Sequence, residues 1–351
     1  MLRTARFASF ALVLSVTCTT GYAQNKVPKD HSVTDTKKNN DEPIAKSAIH
    51  NPVLWHDPGD IASKDLYYGQ GGSDTLPKPP FIFLDEDKGG TSPKLDLRDA
   101  NGKKWHIKVS EESQPEVVAS RLLWAVGFYA NDDYCIAEAQ VNGMKMSRGN
   151  SDVKRGHLIN ARFSHKPEHQ KKIATWEWGD NPFKGTREFN GLRVMMAVIN
   201  NWDLKDVNNS VYYDKDTNKQ IFLVNDIGAT FGTNGVSWTK SRSKGNLESF
   251  KDSKFIQKLS ETEVSFATPH APTGMTILTL GATAKSYAMR NGLDWIGNNI
   301  PRADARWMGS LLGQLTHQQL MDAFRAGNFP PDVAVQYVML IENRIHELKD
   351  L

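Results

Sequence analysis

The chain of 351 residues contains only two cysteines, Cys18 and Cys135. Cys18 lies in an N-terminal segment that we expect to be removed, which leaves one thiol and excludes an internal disulfide. A chain of this length can bury an adequate core without such a cross-link. A lipid anchor on Cys18 is the lesser alternative, because Ser15, Val16 and Thr17 make a poor lipobox ahead of it.

Apolar runs long enough to cross a bilayer are also absent from the sequence. The apolar stretch Phe7–Val16 follows Arg3 and Arg6 and precedes small residues that end at Ala23. This order is typical of a cleavable signal peptide, and the stretch is too short for a resident membrane helix. We therefore predict a signal peptide over 1–23, no transmembrane span, and an exported protein that is periplasmic or secreted.

The chain has little excess charge. Removal of the first 23 residues takes away two arginines and no acidic residue, so the net charge falls from +3 to +1. A nearly neutral protein gives no electrostatic reason to expect nucleic acid as a partner. The basic residues and three histidines between 154 and 172 predict a solvated basic surface, with a zinc site as the lesser alternative.

The N-terminal half has the pattern of a β-rich domain. Polar residues dominate from 24 to 50, which predicts a disordered leader. Three consecutive antiparallel strands are then predicted from a short β-type run at 81–87, a period-two run at 94–99 and a returning strand at 105–109, with a glycine-rich turn and an Asn-Gly turn between them. A helix is predicted from Ser113, and another hairpin is predicted at 134–146.

The C-terminal half has mainly helical patterns. A helix at 186–202 is followed by two strands around the turn 214–218. Four further helices are predicted at 274–290, 303–313, 316–326 and 331–349. We therefore predict an α+β fold of two lobes, with a β-rich lobe at 51–147 and a larger, mainly helical lobe at 148–351.

Five sequence features occur in an order that suits phosphoryl transfer. They are the turn with Gly89 and Gly90, Lys108 on the third strand, Glu116 in the next helix, the loop with Asp203, Lys205 and Asn208, and Asp226 of the Asp-Ile-Gly sequence. Transfer from ATP needs a turn over the phosphates, a lysine that contacts them, a carboxylate that holds this lysine, and an aspartate that orients the acceptor. Asparagine and aspartate supply the oxygen ligands that Mg²⁺ prefers.

The run from Asp203 to Asp226 resembles the catalytic and metal-binding loops of protein kinases. Its motif pattern is most similar to atypical kinases of the spore-coat CotH type, and the overall order is similar to HipA-like kinases. The resemblance implies a two-lobed kinase-like fold with Mg²⁺ and ATP as cofactors and an unknown hydroxyl acceptor, whether protein, lipid or small molecule. It also implies an adenine-contacting segment after residues 137–146.

The same resemblance assigns roles to the individual residues. Asp203 would be the catalytic aspartate with Lys205 as its neighbour, and Asn208 and Asp226 would hold the metal. Lys108 would contact the phosphates and pair with Glu116, and Gly89 and Gly90 would cover the nucleotide.

Other interpretations of these residues stay open at the level of the sequence. Ser113 and Glu116 also match a helix capping box, and Lys108 could be a solvated strand residue. Asn201 and Trp202 replace the usual His-Arg before the catalytic aspartate. A catalytically inactive pseudokinase or binding module is therefore one alternative. A metal-dependent hydrolase that uses the same Asp and Asn cluster is another.

Overall fold

The computed structural model describes residues 40–90, 92–201, 203–233, 243–267 and 292–351. The signal peptide at 1–23, the leader as far as residue 39 and the helix at 274–290 lie outside the described residues. Within these ranges the chain has twelve strands and seven α-helices, a mixture that agrees with the α+β class.

The strands are β1 (Pro52–Val53), β2 (Phe81–Asp87), β3 (Lys94–Arg98), β4 (Lys104–Lys108), β5 (Asp132–Asn142), β6 (His157–His165), β7 (Gln170–Ala174), β8 (Asn209–Asp214), β9 (Lys219–Val224), β10 (Ile256–Leu259), β11 (Glu263–Phe266) and β12 (Ile300–Pro301). The helices are α1 (Ser113–Ala125), α2 (Ser151–Lys154), α3 (Arg187–Val198), α4 (Leu247–Lys251), α5 (Arg302–Leu312), α6 (His317–Ala326) and α7 (Pro331–Lys349).

Five strands form a closed barrel in the order β2-β3-β4-β6-β5, and a short parallel pairing between β5 and β2 closes it. The three consecutive antiparallel strands predicted from the sequence are confirmed as β2, β3 and β4. Alternate residues of β3 and β4 point inward, so Leu95, Leu97, Trp105 and Ile107 are fully buried in a core of their own.

The hairpin predicted at 134–146 is wrong. β5 is a single strand of 11 residues, and its partner β6 begins only after the short helix α2. Gly143, at φ 72°, ends β5, but the chain forms α2 before it returns. β6 therefore carries the barrel on to His165, past the predicted lobe boundary at 147.

A second sheet has the order β1-β9-β8-β7, with β1 parallel to β9 and the other pairs antiparallel. Residues 40–50 lie against this sheet, which differs from the disordered leader expected there. Ile44 N–H donates to Thr175 O at 2.9 Å, and His50 N–H donates to Gln220 Oε1 at 2.8 Å. Ile44 also packs against the main core, which the mainly polar composition of the segment did not indicate.

The main core joins α1, α3 and the three C-terminal helices. Its members include Val118 of α1, Met195 of α3, Met308 of α5, Phe324 of α6 and Tyr337 of α7, all fully buried. Burial of side chains of this size stabilises the fold by about 1.5–3 kcal/mol each. Among the described residues, no helix combines the length and the apolar character that a membrane crossing needs.

Local sequence explains where these helices begin and end. Thr316, the N-cap of α6, accepts a hydrogen bond from Gln319 N–H at 3.1 Å, and the Gln319 side chain accepts from Thr316 N–H at 2.9 Å, which makes a capping box. α3 buries Leu192, Met195 and Met196 but ends at Val198, before the predicted end at 202. Asn200 has φ 52°, a left-handed conformation that turns the chain out of the helix.

Candidate active site

Lys108, the last residue of β4, lies at the centre of an ionic cluster. Lys108 is only 3% exposed, so the alternative that it is a solvated strand residue is wrong. The ammonium nitrogen lies 2.5 Å from Glu112 Oε2, 3.1 Å from Glu116 Oε2 and 3.2 Å from Asp226 Oδ1. Three carboxylates from two distant parts of the chain therefore surround one cation.

Glu116 is fully buried and contacts two cations. Its Oε2 accepts from Lys108, and its Oε1 accepts from a guanidinium nitrogen of Arg162 on β6. The capping-box alternative is wrong, because Ser113 is the first residue of α1 and Glu116 does not cap it. Ser113 Oγ instead donates to Lys108 O at 2.9 Å, which fixes the end of β4 against the start of α1.

Glu112 lies just before α1 and makes the shortest of the three ionic contacts of Lys108. Its second oxygen, Oε1, lies 2.7 Å from Lys244 Nζ. Lys244 belongs to the sequence 238–245, of which residues 238–242 lie outside the described part. Glu112 therefore connects Lys108 with the segment that follows the Asp-Ile-Gly sequence.

Asp226 follows the end of β9 and is positioned by the loop before β8. The backbone N–H groups of Asn225 and Asp226 donate to Asn208 O at 2.7 and 3.2 Å. Gly228 makes a close approach to α1, because a Cβ atom there would lie 2.6 Å from Glu112 Cβ and 3.1 Å from Glu116 Oε2. A residue without a side chain is therefore required at position 228.

Asp203, Lys205 and Asn208 form one compact loop. Lys205 Nζ lies 3.1 Å from Asp203 Oδ2, and Asn208 Nδ2 donates to Asp203 O at 2.6 Å. Asn201 Oδ1 accepts from Asp203 N–H at 3.0 Å, while Trp202 lies outside the described residues. The backbone of Asn208 links this loop to Asp226, so the two predicted metal ligands are neighbours.

Gly89 and Gly90 lie in the turn between β2 and β3, as expected. Arg148 Nη1 donates to Gly90 O at 2.9 Å, and Gly89 N–H donates to Asp87 Oδ1 at 2.8 Å. The turn is thus fastened to the segment after β5. The described residues that line the cleft around Lys108 do not include these glycines, although Lys94 at the end of the turn does line it.

A cleft of about 120 Å³ lies between the barrel and the end of β9. Its lining is rich in basic side chains, namely Lys94, His106, Lys108, Arg162 and Lys166, with Glu116 and Asp226 as the acidic ones. The solvated surface predicted for 154–172 is wrong for Arg162, which is buried. Arg162 lies in β6 between the buried residues Ala161 and Phe163.

The cluster shifts the pKa values of its members. Full burial raises the pKa of Glu116 to about 7, against the opposing charges of Arg162 and Lys108. Burial would also raise the pKa of Asp226, but the charges of Lys108 and Arg162 outweigh it and lower this pKa. Burial would lower the pKa of Lys108, but the three carboxylates outweigh it and raise that pKa.

Lys166 follows β6 and has an unusual environment for a lysine. Its ammonium group donates to the hydroxyl oxygen of Tyr212. Burial, with the nearby charges of Arg162 and Lys172, lowers the pKa of Lys166 to about 8. The charge of this side chain therefore changes just above neutral pH.

Asn208 and Asp226 are the residues that could hold a cation. The described residues contain no group of three or more histidine, cysteine or acidic side chains placed to bind a metal, so the zinc alternative has no support there. A cation here would take a carboxylate oxygen from Asp226 and an amide oxygen from Asn208. Mg²⁺ suits such a site, because it completes its shell with water and phosphate oxygens.

No family model matches the chain, and no curated protein matches it. Among solved structures, the chain is similar to the Helicobacter pylori proinflammatory kinase CtkA at 9% sequence identity. The match covers 74% of this chain and 96% of that chain, with a TM-score of 0.33.

Proposed function

We propose that the chain is an exported, kinase-like phosphotransferase that uses Mg²⁺ and ATP to phosphorylate a hydroxyl group of an acceptor. The observation that carries this proposal is the position of Lys108 between Glu116 of α1 and Asp226 beyond β9. These are the residues needed to hold a phosphate chain and its metal, and they come from three separate elements.

The cluster would exchange partners when a nucleotide enters. The Lys108 ammonium group can donate to phosphate oxygens in place of Asp226 and Glu112, while Glu116 keeps it oriented. The released Asp226 carboxylate, with the Asn208 amide oxygen, would then face a Mg²⁺ ion. Bound Mg²⁺-ATP supplies the phosphoryl group and the charge compensation for its transfer. The surplus of basic side chains in the cleft favours such an anion.

A second cavity adjoins the cleft and suits a planar base. The two cavities share Asn131 and Lys166. The second is lined on one side by Tyr129, Tyr212, Ile221 and Leu223, which offer the flat aromatic and aliphatic surface that bases prefer. We place the base-contacting segment at Lys166 and Pro167, between β6 and β7, because both residues line this cavity, whereas no residue of 137–156 lines it.

Asp203 would accept the proton of the acceptor hydroxyl. Its side chain is 19% exposed and pairs with Lys205, so the carboxylate is fixed without being sealed from the surface. A carboxylate in this position has to lie within hydrogen-bond reach of the incoming hydroxyl. Lys205 would then balance the negative charge that develops on the transferred group.

The decisive test is Mg²⁺-dependent nucleotide binding by Asp226→Ala. The wild-type protein should be stabilised by ATP with Mg²⁺, by about 2.7 kcal/mol when the ligand is at 100 times its Kd. Asp226→Ala should lose this stabilisation. Asp252→Ala is the matched control, because Asp252 is exposed just after α4 and lies outside the cleft. A wild-type protein that binds no nucleotide, or an Asp226→Ala protein that binds normally, would overturn the proposal.

The variant Asp203→Asn distinguishes a phosphotransferase from a binding module and from a hydrolase. This variant should bind Mg²⁺-ATP as the wild type does and lose phosphoryl transfer, measured with γ-labelled ATP. Wild-type binding without transfer to any acceptor would favour the binding module. Phosphoester hydrolysis without nucleotide would favour the hydrolase.

The export part of the proposal rests on residues 1–23, and cell fractionation with and without these residues tests it.

A further inference from the structure

Arg162 is the second cation of the Glu116 carboxylate. The two oxygens of Glu116 are divided, with Oε2 accepting from Lys108 and Oε1 from Arg162. Arg162 and Lys108 are also direct partners in the register of β6 and β4. The two cations therefore project from neighbouring strands onto one carboxylate of α1.

The guanidinium of Arg162 also lies near a second buried carboxylate. Its Nε lies 4.0 Å from Asp133 Oδ1 on β5, and the Asp133 carboxylate accepts from Ser120 Oγ of α1 at 3.0 Å. Asp133 is fully buried, and the Arg162 side chain is only 10% exposed. Arg162 thus lies between a carboxylate of α1 and a carboxylate of β5, away from bulk water.

Lys108 and Glu116 differ in their number of ionic partners. Lys108 has three carboxylates, so it can turn from Glu112 and Asp226 toward a phosphate without losing all of its ion pairs. Glu116 has only Lys108 and Arg162 as cationic partners within 4 Å among the described residues. If Arg162 were absent, the buried Glu116 carboxylate would depend on a Lys108 ammonium group that it shares with the phosphates, and an incompletely compensated buried charge is strongly unfavourable.

We propose that Arg162 is a positioning residue, which holds Glu116 in place so that Lys108 can turn from carboxylates to phosphates. This inference rests on the phosphotransferase function proposed above. Arginine suits the role because its guanidinium keeps its charge when buried and donates in fixed directions. Arg162 acts through Glu116 and does not itself touch the phosphates.

The test compares nucleotide affinity in the wild-type protein and five variants at a temperature where each is folded. Arg162→Gln should weaken Mg²⁺-ADP binding about tenfold or more, measured by calorimetry. Arg162→Lys should recover much of this loss, because it restores a cation beside Glu116. Arg155→Gln is the matched control, since Arg155 is exposed and pairs only with Asp152 among the described residues. It should bind as the wild type does.

The double variant Glu116→Gln/Arg162→Gln distinguishes positioning from direct contact. If Arg162 acts through Glu116, the double variant should bind no more weakly than Glu116→Gln alone. An added loss of tenfold would show that Arg162 contacts the ligand directly, which overturns the inference. Unchanged binding by Arg162→Gln would overturn it as well. In both cases the wild-type protein still binds nucleotide, whereas a wild-type protein that does not bind refutes the proposed function itself.

Discussion

The ammonium nitrogen of Lys108 lies 3.2 Å from Oδ1 of Asp226, a residue 118 positions further along the chain. This ion pair joins the end of a barrel strand to the end of β9. It therefore connects two parts of the fold whose cores are separate. Any ligand that binds Lys108 has to compete with this contact.

Replacement of Lys108 should reduce stability as well as binding. Lys108→Met leaves the buried Glu116 with one cation fewer, and removal of one partner from a buried ion pair costs about 3–5 kcal/mol. Thermal unfolding should show a clearly lower midpoint, and nucleotide should no longer raise it. Lys104→Met on the same strand is the control, because Lys104 is 64% exposed and should change little. Equal midpoints for the two variants would contradict the central role of Lys108.

Removal of the Glu112 carboxylate should strengthen nucleotide binding. Glu112 Oε2 lies 2.5 Å from Lys108 Nζ and competes with phosphate for the same ammonium group. Glu112→Gln should therefore lower the Kd for Mg²⁺-ADP several-fold in calorimetry. The neighbouring Glu111→Gln, at an exposed position, should leave the Kd unchanged. A higher Kd for Glu112→Gln would show that Glu112 supports binding and does not compete with it.

Nucleotide binding should weaken as the pH rises through about 8. The pKa of Lys166 is lowered to about 8, so the free protein loses this positive charge in the cleft above that pH. A bound phosphate favours the charged form, and binding near pH 8 should therefore take up a proton. Calorimetry in buffers with different ionisation enthalpies measures this uptake. Lys166→Met should abolish it, and uptake that persists in this variant would assign the proton elsewhere.

The same shift has a consequence for stability. Because the pKa of Lys166 is lower in the folded chain than in the unfolded chain, the unfolded chain binds more protons between about pH 8 and the ordinary lysine pKa. The free energy of unfolding should therefore rise with pH across this window, by an amount set by the shift. The free energy of unfolding, measured against pH for the wild-type protein and for Lys166→Met, isolates the contribution of Lys166. Parallel curves for the two proteins would show that Lys166 makes no such contribution.

A methyl group at position 228 should move α1 away from the strand end. The added Cβ would lie 2.6 Å from Glu112 Cβ, which is closer than packed atoms allow. Gly228→Ala should lower stability by about 1–3 kcal/mol and weaken nucleotide binding. Gly179→Ala is the control, since nothing lies within 4 Å of a Cβ there. Wild-type binding by Gly228→Ala would mean that the distance between α1 and Asp226 is not critical.

The sequence indicated the strands and the acidic and basic residues of the site because both leave local patterns. β3 and β4 alternate with period two, and Lys108, Glu116 and Asp226 each lie at or near the boundary of an element. Arg162 left a weaker signal, because its role depends on the pairing of β6 with β4. That register is set by barrel closure, after an interruption by α2, and no local pattern encodes it.

Glu112 and the glycine turn show a second limit of the sequence. The side chain of Glu112 is as long as that of Glu116, and only the entry angle of α1 determines which of them reaches Lys108 more closely. The turn with Gly89 and Gly90 matched the expected composition, but Arg148 fastens it from a distant segment. Contacts of this kind arise from packing between elements, which propensities do not describe.

β1 is the edge strand of the second sheet and pairs with β9. β9 is buried along nearly its whole length, and the two residues of β1 with the segment before them cover its outer edge. His50 reaches Gln220 from 170 positions away in the chain. A chain cut after residue 53 would expose the backbone donors and acceptors of an apolar strand, a template for edge-to-edge aggregation. The polar N-terminal segment thus covers this edge of the second sheet.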